Sequence, residues 1–380
     1  MVVIHHLLLA NPQVADRVLP PAIGSLTWAI QSTPLKIFSA GAEAVLVFFV
    51  LSGMVLMLPL LRTPRFDWIK FYPQRVIRLY LPVVASVVLS AILILVHPQL
   101  VGAQVSEWVG AHSFKALSFT DFIRSLDLFE RRNLLNNPLW TLRWELIFSL
   151  CLPLFFLCAV LWQRRWALCL GACTLVVWLG IATNTPALEF LPVFFGGCLL
   201  AMKSDDLKSW AQSMRGARFA NLAWFSVLCV ALSILLLHRM IGPLFPDLVW
   251  PRQLAFALSF LGAILVVAVS FLWEPAIRML SMKPVRWLGR ISFSLYLVHV
   301  PIIYFYANLF GPGKWPETAA AALVTSLLVA ELFVRVVERP ANRLAKLVGK
   351  RGSHQLRVNA PAALAAARAA RQSRIGGTDT

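Results

Sequence analysis

Charge is what this chain has least of. Asp, Glu, Lys and Arg make up 14% of its 380 residues, against 59% hydrophobic residues. Soluble domains carry about a quarter charged residues, so a soluble globular fold is excluded. Acid is the scarcer sign, with 17 Asp and Glu against 35 Lys and Arg. Cysteine is sparse too. Cys151, Cys158, Cys169, Cys173, Cys198 and Cys229 all lie inside apolar runs, where thiols behave as small hydrophobes, so neither a disulfide framework nor a zinc site is supported. Cys169 and Cys173 stand one helical turn apart, but no His or carboxylate joins them. No repeat relates the two halves, and no connector is long enough to fold as a domain of its own.

What the chain has instead is apolar sequence in runs. Its mean hydropathy is +0.74, and 14 Trp and 25 Phe suit contact with lipid and its interfaces. A helix rising 1.5 Å per residue needs about 20 residues to cross a bilayer. Runs of that order predict spans at 41–61, 79–97, 144–162, 166–183, 187–202, 219–238, 253–272, 291–310 and 317–337. The opening MVVIHHLLLA reads as a shortened tenth. The expected fold is therefore an all-α polytopic membrane protein of about ten transmembrane helices, with membrane lipids as its surroundings.

The basic residues lie between these spans rather than on one face, which argues against nucleic-acid binding. Alternate connectors and the C-terminal tail collect 25 of the 35 Lys and Arg, and the opposite set holds the other 10. The positive-inside rule makes the first set, and the C-terminus, cytoplasmic. The longest connector on the outer side, 98–143, is expected to form interfacial or re-entrant helices. Residues 1–343 make the transmembrane unit. Residues 344–380, with APAALAAARAARQSR, read as a disordered or lipid-associated basic tail.

An ionisable side chain at the bilayer centre costs about 2.5–3.5 kcal/mol on insertion scales, so each one in a span is a functional candidate. His5, His6, Glu43, Glu145, His299 and Glu331 qualify. His5 and His6 project about 100° apart on a helix, so at most one points squarely into the bundle. A neutral imidazole can take a proton from a hydroxyl; a purely structural hydrogen bond is the plainer reading of either. Ser52 sits in L-S-G, not the G-x-S-x-G elbow of a serine nucleophile, and small residues there permit close helix approach. Arg75 and Arg78 share a helix face, suited to phosphates or to lipid headgroups. Glu145, flanked by Trp140 and Trp144 at the outer start of a span, suits orienting an imidazole or a hydroxyl, or a salt bridge to Arg143 or another Arg. Ser292, Ser294, Tyr296 and His299 form a polar stripe in GRISFSLYLVHVPIIYF.

In this order the His-bearing first helix, AVLVFFVLSGMVL, RVIRLYLP, PLWTLRWELIF, ISFSLYLVHVPI and ERPANR resemble the acyltransferase-3 family of bacterial integral-membrane O-acyltransferases. The resemblance runs from the first residues to about 343. It implies transfer of an acyl group, usually acetyl from acetyl-CoA, to a carbohydrate hydroxyl at the bacterial inner membrane. Acyl-CoA would be a co-substrate, with no resident cofactor and no metal. It aligns His6 with the family's catalytic histidine, Arg75 and Arg78 with its Arg-x-x-Arg, Trp140 and Glu145 with W-x-L-x-x-E, and Tyr296 and His299 with Y-L-x-H. Two departures stand out. Leu46 occupies a position that is acidic in many members, which puts the role of Glu43 in doubt. The Arg that precedes the family's catalytic histidine would fall upstream of Met1, so the reading expects a start placed too late or a truncated copy. The rival readings are a proton-coupled secondary transporter, which predicts repeat symmetry that the sequence lacks, and an inactive membrane scaffold.

Overall fold

The computed structural model describes residues 1–15, 33–63, 65–97, 105–112, 117–129, 135–241, 248–311 and 313–350. Among these residues there is no strand. The helices are α1 (Val2–Leu9), α2 (Gly41–Arg62), α3 (Trp68–Val96), α4 (Glu107–Gly110), α5 (Phe119–Leu126), α6 (Leu139–Leu150) and α7 (Leu152–Trp162). They continue with α8 (Trp166–Ala182), α9 (Pro186–Met202), α10 (Ser204–Ser213), α11 (Ala220–Ile241), α12 (Val249–Leu272), α13 (Glu274–Leu280), α14 (Lys283–Phe310) and α15 (Trp315–Phe333). A 3₁₀ turn, Pro34–Ser39, leads into α2.

Seven helical runs among the described residues are long and apolar enough to cross a membrane, or eight if α9 and α10, bent by 56°, count as one span. The fold is all-α and polytopic, with fewer full-length spans than the ten expected. Three differences account for this. The eight residues of α1 are too short to cross alone. The run 144–162 is broken at Cys151 into α6 and α7, with Pro153 in the first turn of the new helix, where its missing N–H costs nothing. Finally, α7 and α8 belong to one uninterrupted helical stretch with a 3₁₀ turn at Gln163–Arg165. Leu154 of α7 and Val176 of α8 both line a cavity against α9. The last helix passes through a π turn, Val334–Glu338, and stays helical to Lys350, inside the stretch read as tail. The Ala/Arg sequence beyond it lies outside the described residues.

Two apolar cores meet at α6. Leu139, Leu142 and Leu146 pack with α3, α14 and α1, whereas Trp144 and Phe148 pack with α2, α9 and α12. In the second core, α2 and α9 touch backbone to backbone. A Cβ on Gly53 would land on the Phe194 carbonyl, and one on Gly197 on that of Val50. Only glycine permits that approach, as small-residue helix interfaces in lipid require.

The described parts of the connector 98–143 pack into the bundle. Tyr80 Oη donates to the Leu126 carbonyl at 2.6 Å, and Asn136 Nδ2 donates to Ser86 Oγ (3.2 Å) and the Leu297 carbonyl (2.9 Å). Ser106 Oγ reaches the carbonyl of Leu9 at 2.8 Å. Both Tyr80 and Ser86 lie in the middle of α3. These contacts hold the described parts of the connector and the approach to α6 against the middle of α3.

Candidate active site

Two adjacent histidines on a helix cannot share a direction, and the structure separates them. The His5 ring lies against Gly41 of α2, where a Cβ would collide with it. His6 turns towards α14, and its Nδ1 is 2.8 Å from His299 Nε2. The His6 and His299 rings stack with centroids 5.0 Å apart. The fully buried His299 has its Nδ1 3.0 Å from the Leu295 carbonyl, one turn back on its own helix.

Over the other face of His6 lies Trp108 of α4, nearly parallel at 7° and 5.2 Å. Trp108 also meets Tyr304 at 4.9 Å, and His112, whose Nδ1 is 3.0 Å from the Trp108 carbonyl, stacks on Tyr304. Ser106 caps this four-residue helix through the amide of Val109. Trp108, His112 and Tyr304 were not among the residues expected from the sequence. The only signal for them was the i, i+4 spacing of Trp108 and His112 inside EWVGAH. Spacing does not say that a connector enters a bundle.

A second polar group occupies the end of the bundle near the start of α3. There Asp67 caps the helix by accepting from the Lys70 amide at 3.0 Å, so Arg75 and Arg78 stand about two and three turns inside α3. Arg75 Nη2 pairs with Glu145 Oε1, and its Nε donates to Ser149 Oγ at 2.9 Å. Arg78 lies within electrostatic reach of Arg75, Glu145 and Glu338. Glu338 sits in the π turn and accepts from Ser294 Oγ at 2.6 Å. Ser149 and Glu338 also escaped the sequence reading, although Glu338 opens the quoted ERPANR.

The two groups are joined through α6 and α14. One turn before Glu145, Thr141 Oγ1 is 2.8 Å from Tyr296 Oη, which donates to the Pro138 carbonyl at 3.0 Å. The Tyr296 ring is 5.8 Å from that of His299. At 1.5 Å rise per residue, the path from Glu145 to Thr141 and from Tyr296 to His299 covers about 10 Å along the helix axes. Beside it is a cavity of about 260 Å³, lined by Val3, Phe48, Leu142, Phe293 and Tyr296 among others. It is mostly apolar and reaches the tyrosine next to the histidine pair.

The remaining candidates lie apart. Glu145 is paired with Arg75, not with His6 or with Arg143, whose guanidinium lies over Trp144 instead. Trp140 packs on Phe190 in the second core. Ser52 neighbours the Gly53 contact and makes no hydrogen bond to a site residue among those described. Glu331 is held by Arg290, Arg335 and the Trp287 indole N–H. Fully buried Glu43 accepts from His238 Nε2 (3.1 Å) and Arg239 Nε (3.0 Å) through one oxygen, and its other oxygen has no hydrogen-bond partner among the described residues. Lys36 of the 3₁₀ turn completes that cluster. Burial, then Arg239, push its ammonium below the usual lysine range, and Glu43 opposes the shift. No group of three or more His, Cys, Asp or Glu among the described residues is arranged to hold a metal ion.

Comparison with known sequences adds an independent line. Residues 1–335 match the acyltransferase-3 family, described as an acyltransferase domain. The chain is 24% identical over 330 residues to the peptidoglycan O-acetyltransferase OatA of Listeria monocytogenes, covering 78% of this chain and 50% of that protein. Over 91 residues it is 34% identical to the O-acetyltransferase OatA of Staphylococcus aureus strain NCTC 8325, covering 24% of this chain and 14% of that protein. The chain thus spans about half the length of the Listeria relative and a smaller part of the staphylococcal one. No solved structure matches it.

Proposed function

The chain belongs to the acyltransferase-3 family of O-acyltransferases, and from that premise we propose that it moves an acyl group from acyl-CoA, acetyl-CoA first among them, to a carbohydrate hydroxyl. The observation that carries the reading is the His6–His299 pair, with buried His299 and half-buried His6 stacked against Trp108, linked by about 10 Å of helix to an arginine-rich group.

Acyl-CoA enters from the cytoplasm at the Arg75 end, and Arg75 and Arg78 hold its phosphates. Arginine suits that task because its planar fork donates two parallel hydrogen bonds to phosphate oxygens. Glu145 and Ser149 hold the Arg75 guanidinium in place. The acyl end passes beside Tyr296 into the apolar cavity and reaches the histidines. His6 takes the proton from the acceptor hydroxyl as its oxygen attacks the thioester carbonyl. The new ester C–O bond forms, the C–S bond breaks, and the proton passes to the departing thiolate to give CoA-SH. Trp108 keeps bulk water from the reacting groups.

The acceptor is a glycan on the far side of the membrane. Because the Listeria relative bears the name of a peptidoglycan O-acetyltransferase, cell-wall glycan is the first acceptor to test. Purified protein in lipid nanodiscs, given acetyl-CoA and fragments of cell-wall or surface glycan, is expected to release CoA thiol and form an ester-linked acetyl group. Sugar uptake into liposomes without CoA consumption would contradict the reading.

A further inference from the structure

We infer that His299 is a positioning residue that fixes the tautomer of His6, leaving Nε2 of His6 as the unprotonated nitrogen that meets the acceptor hydroxyl. The inference deepens the reading of His6 as the base and rests on it.

The Leu295 carbonyl can only accept a hydrogen bond. His299 Nδ1, 3.0 Å away, therefore carries a proton and donates. His299 is fully buried, and no carboxylate contacts it among the described residues, so a second proton would leave a buried cation without a counter-charge. It stays neutral, and its Nε2 is then a lone pair. His6 Nδ1 lies 2.8 Å from that lone pair and must be the donor. A neutral imidazole with its proton on Nδ1 has its free lone pair on Nε2. Nothing among the described residues hydrogen-bonds that nitrogen.

The opposite assignment fails at the carbonyl. If His299 donated from Nε2 to His6, its unprotonated Nδ1 would face the Leu295 oxygen, setting two lone pairs against each other in a buried site. A single α-helical turn, Leu295 to His299, thus sets the tautomer of a residue on another helix. The orienting role played elsewhere by a carboxylate falls here to a neutral ring, which fixes direction without adding negative charge beside the base. During transfer His6 Nε2 gains the acceptor proton while Nδ1–H stays on His299, and Nε2 then returns that proton to the CoA thiolate. Trp108 stacked on His6 holds the ring plane.

The test uses the full chain in nanodiscs, wild type and the variants His299→Gln and His299→Phe. Glutamine places an amide oxygen near the position of Nε2 and can still accept from His6, whereas phenylalanine fills the space and cannot. Nitrogen-15 histidine NMR, with the His6 signals identified by their loss in His6→Ala, is expected to show the wild-type proton on Nδ1. His299→Phe is expected to lower kcat on the order of 100-fold, the scale of a lost general base, with KM for acetyl-CoA within about threefold of wild type. His299→Gln is expected to restore kcat to within about tenfold. A wild-type proton on His6 Nε2 overturns the inference whether or not the phenylalanine variant folds. So does a folded His299→Phe with wild-type kcat, or a glutamine variant no better than phenylalanine. An active His6→Ala sinks the base reading itself, whereas an inactive His6→Ala beside a fully active His299→Phe sinks only the role of His299.

Discussion

Arg75 and Glu145 are the buried ion pair on which the donor end of the site depends, and they can be taken apart in steps. Their side chains are 11% and 8% exposed, so solvent screens them little. Glu145 Oε2 has no hydrogen-bond partner among the described residues. Removing one member of such a pair strands the other charge and costs about 3–5 kcal/mol, while replacing both with apolar residues of similar volume is often neutral. Glu145→Leu and Arg75→Met are therefore each expected to lose about 3–5 kcal/mol, and the double variant to recover most of that loss. Activity should not follow stability: the double variant lacks the Arg75 guanidinium and should remain without acetyl-CoA-dependent thiol release at donor concentrations that saturate wild type. Denaturant unfolding in a defined detergent, read by tryptophan fluorescence, gives the stabilities, and a thiol assay gives the activity. Additive losses in the double variant would refute the pairing. A double variant as active as wild type would refute the donor-binding role.

Other positions make separable predictions. Gly197→Ala drives a Cβ onto the Val50 carbonyl, so α2 and α9 must part, at a cost of about 1–3 kcal/mol, visible as a lowered Tm. Trp108→Ala uncovers His6 and is expected to raise acceptor-independent thiol release several-fold as water replaces the acceptor; an unchanged background rate would remove Trp108 from the account. Glu43→Ala strands His238 and a partly exposed Arg239 and should cost about 1–3 kcal/mol of stability while changing kcat by less than about twofold. A much larger kcat effect at full folding would bring the Glu43 cluster into the reaction.

The helical class was legible because lipid leaves so few options: long apolar runs must be helices, and their lengths are set by the bilayer. The residues with the clearest local pattern also landed together. Arg75 and Arg78 share a face of α3, and Tyr296 and His299 lie a turn apart on α14, the tyrosine on Thr141 and the histidine on His6. What the sequence hid depends on depth. Trp140 and Trp144, placed by the sequence at the outer start of a span, pack in and against the second core, and the described end of the connector before α6 dips into the bundle. That dip rests on Tyr80–Leu126 and Asn136–Leu297 hydrogen bonds between residues far apart in sequence, which no periodicity reports. Glu145 consequently found Arg75 rather than an imidazole. Trp108 and His112 looked like connector residues for the same reason. Glu338 needed the π turn to swing it towards Ser294, and a π turn has no signature in a helical apolar run.

The central claim is that His6 is the base that moves the acyl group, and one measurement meets it directly. Wild type and His6→Ala, matched for folding by their thermal transitions, are given acetyl-CoA labelled in the acetyl group together with a glycan acceptor. Ester-linked label on the glycan is then counted. The account predicts transfer by the wild type and a loss on the order of 100-fold or more in His6→Ala. Label transferred at the wild-type rate by a folded His6→Ala would contradict it.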